Sequence, residues 1–140
     1  MNEEPIWTPS PARVSEAQIT SFISAVEQDW GVACTSYSQL HTWSISESDK
    51  FWLSLWDFGE VVSETRGTIV LRDADKMPGA IFFPEARLNF AENLLRRRDD
   101  SPAIIFRGEN GTERVLSFRE LYGLVSQLRQ AMIETGIHAG

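Results

Sequence analysis

Few side chains in this sequence sit at spacings that could do chemistry. Asp57, Glu60 and Glu64 are close enough along the chain to pair as general acid and base, or to form a solvated face after a helix. His41 and His138 are the two histidines, and no metal-ligating residue follows either at i+3 or i+4, so a metal site is not expected. Lys50 and Lys76 are the two lysines. Neither follows a glycine-rich loop, and nothing around either would depress its pKa. Gly108 and Gly111 are too few for a phosphate cradle, and the Glu109 carboxylate between them would repel the anion. Arg96, Arg97 and Arg98 could meet an acidic partner or a cofactor phosphate. The plainer reading is that they complement a helix C-terminus, with Asp99 and Asp100 directly after them. Asn89 and Asn93, four apart, could bond backbone carbonyls of the segment before a helix. Cys34 is the only cysteine, so it forms no internal disulfide and reads as a structural thiol. These residues describe a domain in which no catalytic, cofactor-binding or metal-binding side chain can be assigned.

The elements that position them are legible to different degrees. Residues 1–14 are proline-rich and aperiodic and read as an extended arm. Ser15 and Gln18 have capping-box spacing, and Ile19, Phe22, Ile23, Val26 and Trp30 follow at helical intervals until Gly31. "TSYSQLHTW" suggests a second short helix, with Tyr37, Leu40 and Trp43 on one face. Ser46 is the expected cap of a third, whose stripe is Phe51, Trp52, Leu55, Trp56 and Phe58 and whose end is Gly59. Four of the five tryptophans fall between Trp30 and Trp56, which marks the core of this half. "TIVLRD" suggests a short strand, "MPGAIFFPEA" an irregular stretch, and residues 87–98 a helix. "PAIIFRGENGTERVLS" reads as a hairpin turning at Asn110–Gly111. Ser117 and Glu120 then open an amphipathic helix that Gly136 can close, with Ile137 folding back on Met132.

At 140 residues and net charge −7, the chain is the size of one domain and too acidic for non-specific nucleic-acid binding. No apolar run approaches the roughly 20 residues of a bilayer span. The acidic N-terminus is no secretory signal. With a single thiol, these features suggest a reducing, cytoplasmic setting. A hairpin followed by a helix with a wide apolar face normally feeds another strand. The chain therefore reads as a portion of a larger α/β domain.

Three stretches carry a family likeness: "SYSQLHTWSISESDKFWLSLWDF", "KMPGAIFFPEARLNFAENLLR" and "PAIIFRGENGTERVLSFRELYGLVSQLRQAMIETGI". Over residues 36–137 the chain resembles the N-terminal region of the acetoacetyl-CoA synthetases (acetoacetate–CoA ligases). That family belongs to the adenylate-forming superfamily and is related to acetyl-CoA synthetase. Glu85 stands where the family pattern leads one to expect glycine. The resemblance implies, for a full-length enzyme, activation of acetoacetate by ATP with Mg²⁺ and transfer of the acyl group to CoA. It also implies that the phosphate loop, the nucleotide contacts and the catalytic lysine lie beyond position 140. This chain alone would bind none of these cofactors and would be inactive and structural.

The expected fold is an α+β fragment: a helical cap, then a β-hairpin and helix that begin the large α/β domain. Its expected parts are an arm at 1–14, an acetyl-CoA-synthetase-type helical region at 15–98, and the truncated start of an AMP-binding domain at 99–140. Its expected partner is the remainder of its own adenylation domain, or a second copy through the apolar helix face, with neither nucleic acid nor membrane. A sister acetyl- or propionyl-CoA synthetase and a non-catalytic interaction module are the alternatives.

Overall fold

The structure, a computed structural model, describes residues 6–138. Pro11 opens the first helix, α1 (Pro11–Ser15), where its missing N–H costs nothing, and the Ser10 hydroxyl accepts the Arg13 N–H at 3.3 Å. The expected arm is thus helical from Pro11, and its residues 1–5 lie outside the described residues. Ser15 does not cap the next helix, because it closes α1 and its hydroxyl donates to the Ala12 carbonyl at 2.8 Å. That next helix, α2 (Gln18–Trp30), follows Ala17 and stops where Gly31 adopts a left-handed φ of 64°. Ser36 caps α3 (Tyr37–Ser46) by accepting the Gln39 N–H. The helix α4 (Ser48–Phe58) begins after Glu47. Ser46, expected as its cap, instead ends α3 with its hydroxyl on the Trp43 carbonyl.

Phe22, Val26, Cys34, Leu40 and Trp43 are buried together, with Ile23, Trp30, Val32, Phe51 and Phe58 packed around them. Phe22 meets Phe51 and Phe58 edge-on at centroid distances of 5.9 and 5.2 Å, and Trp43 meets Phe51 likewise at 6.4 Å. The tryptophan-rich stretch is therefore core. Ser54 is the polar residue buried among these helices, and it accepts the Trp30 indole N–H at 2.7 Å, which removes the penalty of burying it unpaired.

The chain divides into two compact units that meet between Leu88 and Asn89. The first also holds a short antiparallel pair, β1 (Leu71–Arg72) and β2 (Ile81–Phe82), to which the expected "TIVLRD" strand contracts. The second begins with α5 (Phe90–Leu94), then the antiparallel hairpin of β3 (Pro102–Arg107) and β4 (Glu113–Ser117), then α6 (Phe118–Glu134). The hairpin turn differs from a two-residue Asn-Gly turn. The Gly111 N–H donates to the Gly108 carbonyl, the Gly108 N–H donates to the Thr112 carbonyl, and Gly111 alone takes positive φ, 81°. This is a type I turn closed by a glycine bulge. Asn110 stays in the ordinary region and its side-chain oxygen accepts the Thr112 N–H.

At the start of α6 the Ser117 hydroxyl accepts the Glu120 N–H and the Glu120 carboxylate accepts the Ser117 N–H, a complete capping box. Those bonds hold the Glu120 carboxyl below the usual range. Ser117→Ala is expected to lower stability by about 1 kcal/mol, read by urea denaturation followed in far-UV circular dichroism. Past the end of α6, Gly136 turns left-handed at φ 85°. The Gly136 and Ile137 N–H groups donate to the Ile133 and Met132 carbonyls, as the sequence suggests. The fold is α+β.

Candidate functional site

The segment after α4 is irregular yet tightly tied. Glu60 rather than Gly59 takes the left-handed position at the end of α4, φ 50°. The chain then pairs with its own return stretch. The Glu64 N–H donates to the Arg87 carbonyl at 2.8 Å, the Arg87 N–H donates to the Thr65 carbonyl at 2.9 Å, and the two side chains of Glu64 and Arg87 form an ion pair at 3.5 Å. β1 and β2 close the far end. Phe83 is held at φ 45°, a conformation that is strained for a bulky residue, and its N–H donates to the Val70 carbonyl at 2.8 Å.

Glu85 lies between those ties. Its carboxylate accepts the Thr68 N–H at 2.8 Å and the Thr68 hydroxyl at 3.4 Å. The backbone N–H groups of Thr68 and Ile69 hold its pKa below the usual carboxylate range. Gly67 at φ 77° leaves the room this needs: a Cβ there would stand 2.4 Å from the Glu85 Cβ. Glu85 is therefore a carboxylate clasp on the 67–69 loop.

The clasped segment presents aromatics to α4. Phe82 packs against Trp52 at 4.9 Å and Phe83 against Trp56 at 4.5 Å. With Leu55 and Val61 they line a cleft of about 220 Å³ that contains no charged residue. Such a lining can hold apolar surface but has no ion to orient or activate a substrate. The "MPGAIFFPEA" part of the quoted block is thus packing, bound by Phe82 and Phe83.

The "NFAENLL" part belongs to the second unit, where the helix expected over 87–98 contracts to α5. The Arg87 backbone is already spent on Thr65, and Asn89 stays extended, capping α5 by accepting the Glu92 N–H at 3.0 Å. The Asn93 side-chain amide donates to the Asn89 carbonyl at 3.0 Å, the bracing role expected from its spacing. Arg96 donates to the Asn93 carbonyl, near the helix end it was expected to complement. Arg97 pairs with Asp99 at 3.1 Å and lies 4.8 Å over the Phe118 ring, and Arg98 lies 4.1 Å over the Tyr122 ring. The Ser101 hydroxyl and N–H hold Asp99 below the usual range, and Arg119 does the same to Asp100.

The remaining candidates do not converge. Asp57 pairs with Arg66 at 2.9 Å while Glu64 pairs with Arg87, so these two carboxylates are drawn to separate arginines. Lys50 pairs with Glu47 and Lys76 with Asp73. The Glu47 hydrogen bond raises the Lys50 pKa, away from what a lysine base needs. His41 is exposed and stacks on Tyr37, and His138 is exposed. Burial, then the Glu27 charge, push the Cys34 thiol up, so it is a poor nucleophile and behaves as core. Among the described residues no three His, Cys, Asp or Glu side chains are placed to hold a metal ion.

Comparison with known proteins shows what this chain is similar to. The model for the acetyl-coenzyme A synthetase N-terminus matches residues 37–94. The chain is 43% identical over 138 residues to the acetoacetyl-coenzyme A synthetase of Rhizobium meliloti (strain 1021), covering 99% of this chain and 21% of that protein. It is 30% identical over 137 residues to a malonamoyl-CoA synthetase of Penicillium aethiopicum, covering 93% of this chain and 19% of that one. The solved acetoacetyl-CoA synthetase from Streptomyces lividans superposes with a TM-score of 0.83 at 33% identity, over 99% of this chain and 22% of that chain. The chain spans about a fifth of the length of the curated relatives it matches. Residues 37–94 thus match the model for the acetyl-coenzyme A synthetase N-terminus, and along its length the chain is similar to the N-terminal part of the acetoacetyl-CoA synthetases.

Proposed function

We propose that this chain is the N-terminal scaffold portion of a cytoplasmic, AMP-forming acid–thiol ligase that acts on acetoacetate. The 43% identity to an acetoacetyl-coenzyme A synthetase across nearly the whole chain carries this reading. In that reaction the acetoacetate carboxylate attacks the α-phosphorus of ATP and pyrophosphate leaves. The CoA thiolate then attacks the acyl carbon, the carbon–oxygen bond to phosphate breaks, and AMP departs. A free carboxylate is a poor acylating agent, and adenylation supplies the leaving group. Mg²⁺ would offset phosphate charge, but the described residues offer no donor set for it and no step is routed through them. The role of this chain is to present ordered faces to the rest of the enzyme. No helix among the described residues is long and apolar enough to cross a membrane, in keeping with this reading.

Incubated with acetoacetate, ATP, Mg²⁺ and CoA, the 140-residue chain is expected to release no AMP above background, whereas the full-length protein releases it. AMP formation by the chain alone would overturn the scaffold role. The likeness to a malonamoyl-CoA synthetase means that this region is shared by enzymes named for different acyl groups. Running the full-length assay with acetate and propionate therefore decides between acetoacetate and the sister substrates.

A further inference from the structure

The helix α3 turns Leu40 and Trp43 into the core, and its opposite face is exposed. Tyr37 at 68% exposure, His41, and Ile45 at 66% exposure follow one another at intervals of four and make a ridge along that face. The ridge is ordered in advance, because the Tyr37 and His41 rings stack at 6.3 Å. Beside it run the small side chains of Ser38, Thr42 and Ser46, also exposed. They line a cavity of about 390 Å³ together with residues of the 32–34 segment. A ridge and a groove therefore lie side by side on one face.

The charge pattern of this stretch is as particular as its shape. Between Asp29 and Glu47 there is no Asp, Glu, Lys or Arg, the longest such gap in a chain of net charge −7. Two copies repel each other through their net charge, and least through this face. Charge depletion with exposed tyrosine is also the composition of an interface core. Covering the groove strands neither of two donors: the Thr42 hydroxyl donates to the Ser38 carbonyl at 3.0 Å, and the Ser46 hydroxyl to the Trp43 carbonyl at 3.2 Å. We propose that α3 is a contact surface for a second copy of this protein, the two helices crossing about a two-fold axis near His41 and Thr42, with Tyr37, His41 and Ile45 of each seated in the groove of the other. Both rows follow the i±4 spacing, so ridge and groove interdigitate at the commonest helix-crossing angle, about 50°. The two-fold makes the contact reciprocal and closed. The face offers no Asp, Glu, Lys or Arg with which to select a different protein. One helix face buries little area, so the dimer forms at high concentration and parts on dilution.

The test is sedimentation equilibrium of the full-length protein over a wide concentration range, with cross-linking beside it. A monomer–dimer equilibrium is expected. Ile45→Glu, checked for unchanged far-UV circular dichroism, is expected to weaken it by at least about tenfold, because two carboxylates then meet across the axis. Thr42→Trp, which fills the groove, is expected to weaken it as well. Under a mild oxidant Thr42→Cys is expected to give a covalent dimer, joined through the introduced thiols by peptide mapping. Gln28→Cys, exposed on α2, is expected to give none, and the native Cys34 is 1% exposed and does not compete. A monomer at every concentration, a dimer that both Ile45→Glu and Thr42→Trp leave intact, or equal cross-linking from the two cysteine variants would overturn the proposal. None of these readings depends on the ligase assignment.

Discussion

Phe22→Ala is expected to destabilise the first unit by about 3–5 kcal/mol, the range for removing a buried aromatic ring. Phe22 is 4% exposed and makes edge-to-face contacts with Phe51 and Phe58 of α4, so its loss empties the joint between α2 and α4. Small domains have roughly 5–15 kcal/mol in total, so this change removes a large share. Urea denaturation followed by tryptophan fluorescence should show a lower midpoint with an unchanged slope, since the same surface is exposed on unfolding. Phe22→Leu keeps most of the volume and should cost less than about 1.5 kcal/mol. Ile45→Ala is the control, because Ile45 is 66% exposed and its truncation leaves no cavity. Equal losses for Phe22→Ala and Ile45→Ala would refute the core described here.

That core was readable in the sequence because its cause is local. Leu40 and Trp43 lie three apart on a helix capped by Ser36, and Phe22 and Val26 lie four apart on one that Gly31 stops, so periodicity alone brings their side chains inward. Ser117 with Glu120, and Gly136 with Ile137, are likewise short-range devices. The stretch from 59 to 98 was less legible because its determinants are distant partners. Residues 87–98 have helical apolar spacing, yet Leu88 and Leu94 are 45% and 59% exposed, and Arg87 is committed to a bridge with Thr65. No local pattern announces a pairing across 22 residues. Glu85 is the clearest case. Its carboxylate matters only because the 67–69 loop arrives beside it, and the one local hint is Gly67 in a non-repetitive stretch. As for chemistry, the candidate side chains could be named in advance but not their pairing. The structure disperses Asp57 and Glu64 to separate arginines.

Gly67→Ala is expected to cost about 2–5 kcal/mol, from two terms that act together. A left-handed φ costs an L-residue about 1–2 kcal/mol, and forcing extra volume into a filled space adds about 1–3. Both conditions hold, with φ at 77° and a new Cβ 2.4 Å from the Glu85 Cβ and 2.5 Å from its Oε2. To make room Glu85 must leave, which frees the Thr68 N–H and loosens the turn that carries Phe82 and Phe83 onto Trp52 and Trp56. The overlap term should vanish in a Glu85→Gly background. A double-mutant cycle should then show Gly67→Ala less damaging there, by an interaction energy on the order of 1 kcal/mol. The acid limb of stability gives an independent reading. Because the Glu85 pKa is lower folded than unfolded, its contribution is present above the unfolded value and is lost as pH falls through the folded one. Glu85→Gln should flatten that limb, and Gly67→Ala should flatten it too if it ejects the carboxylate. A Gly67→Ala protein with the parent acid profile would mean that the loop moves and the clasp survives, contrary to the geometry described.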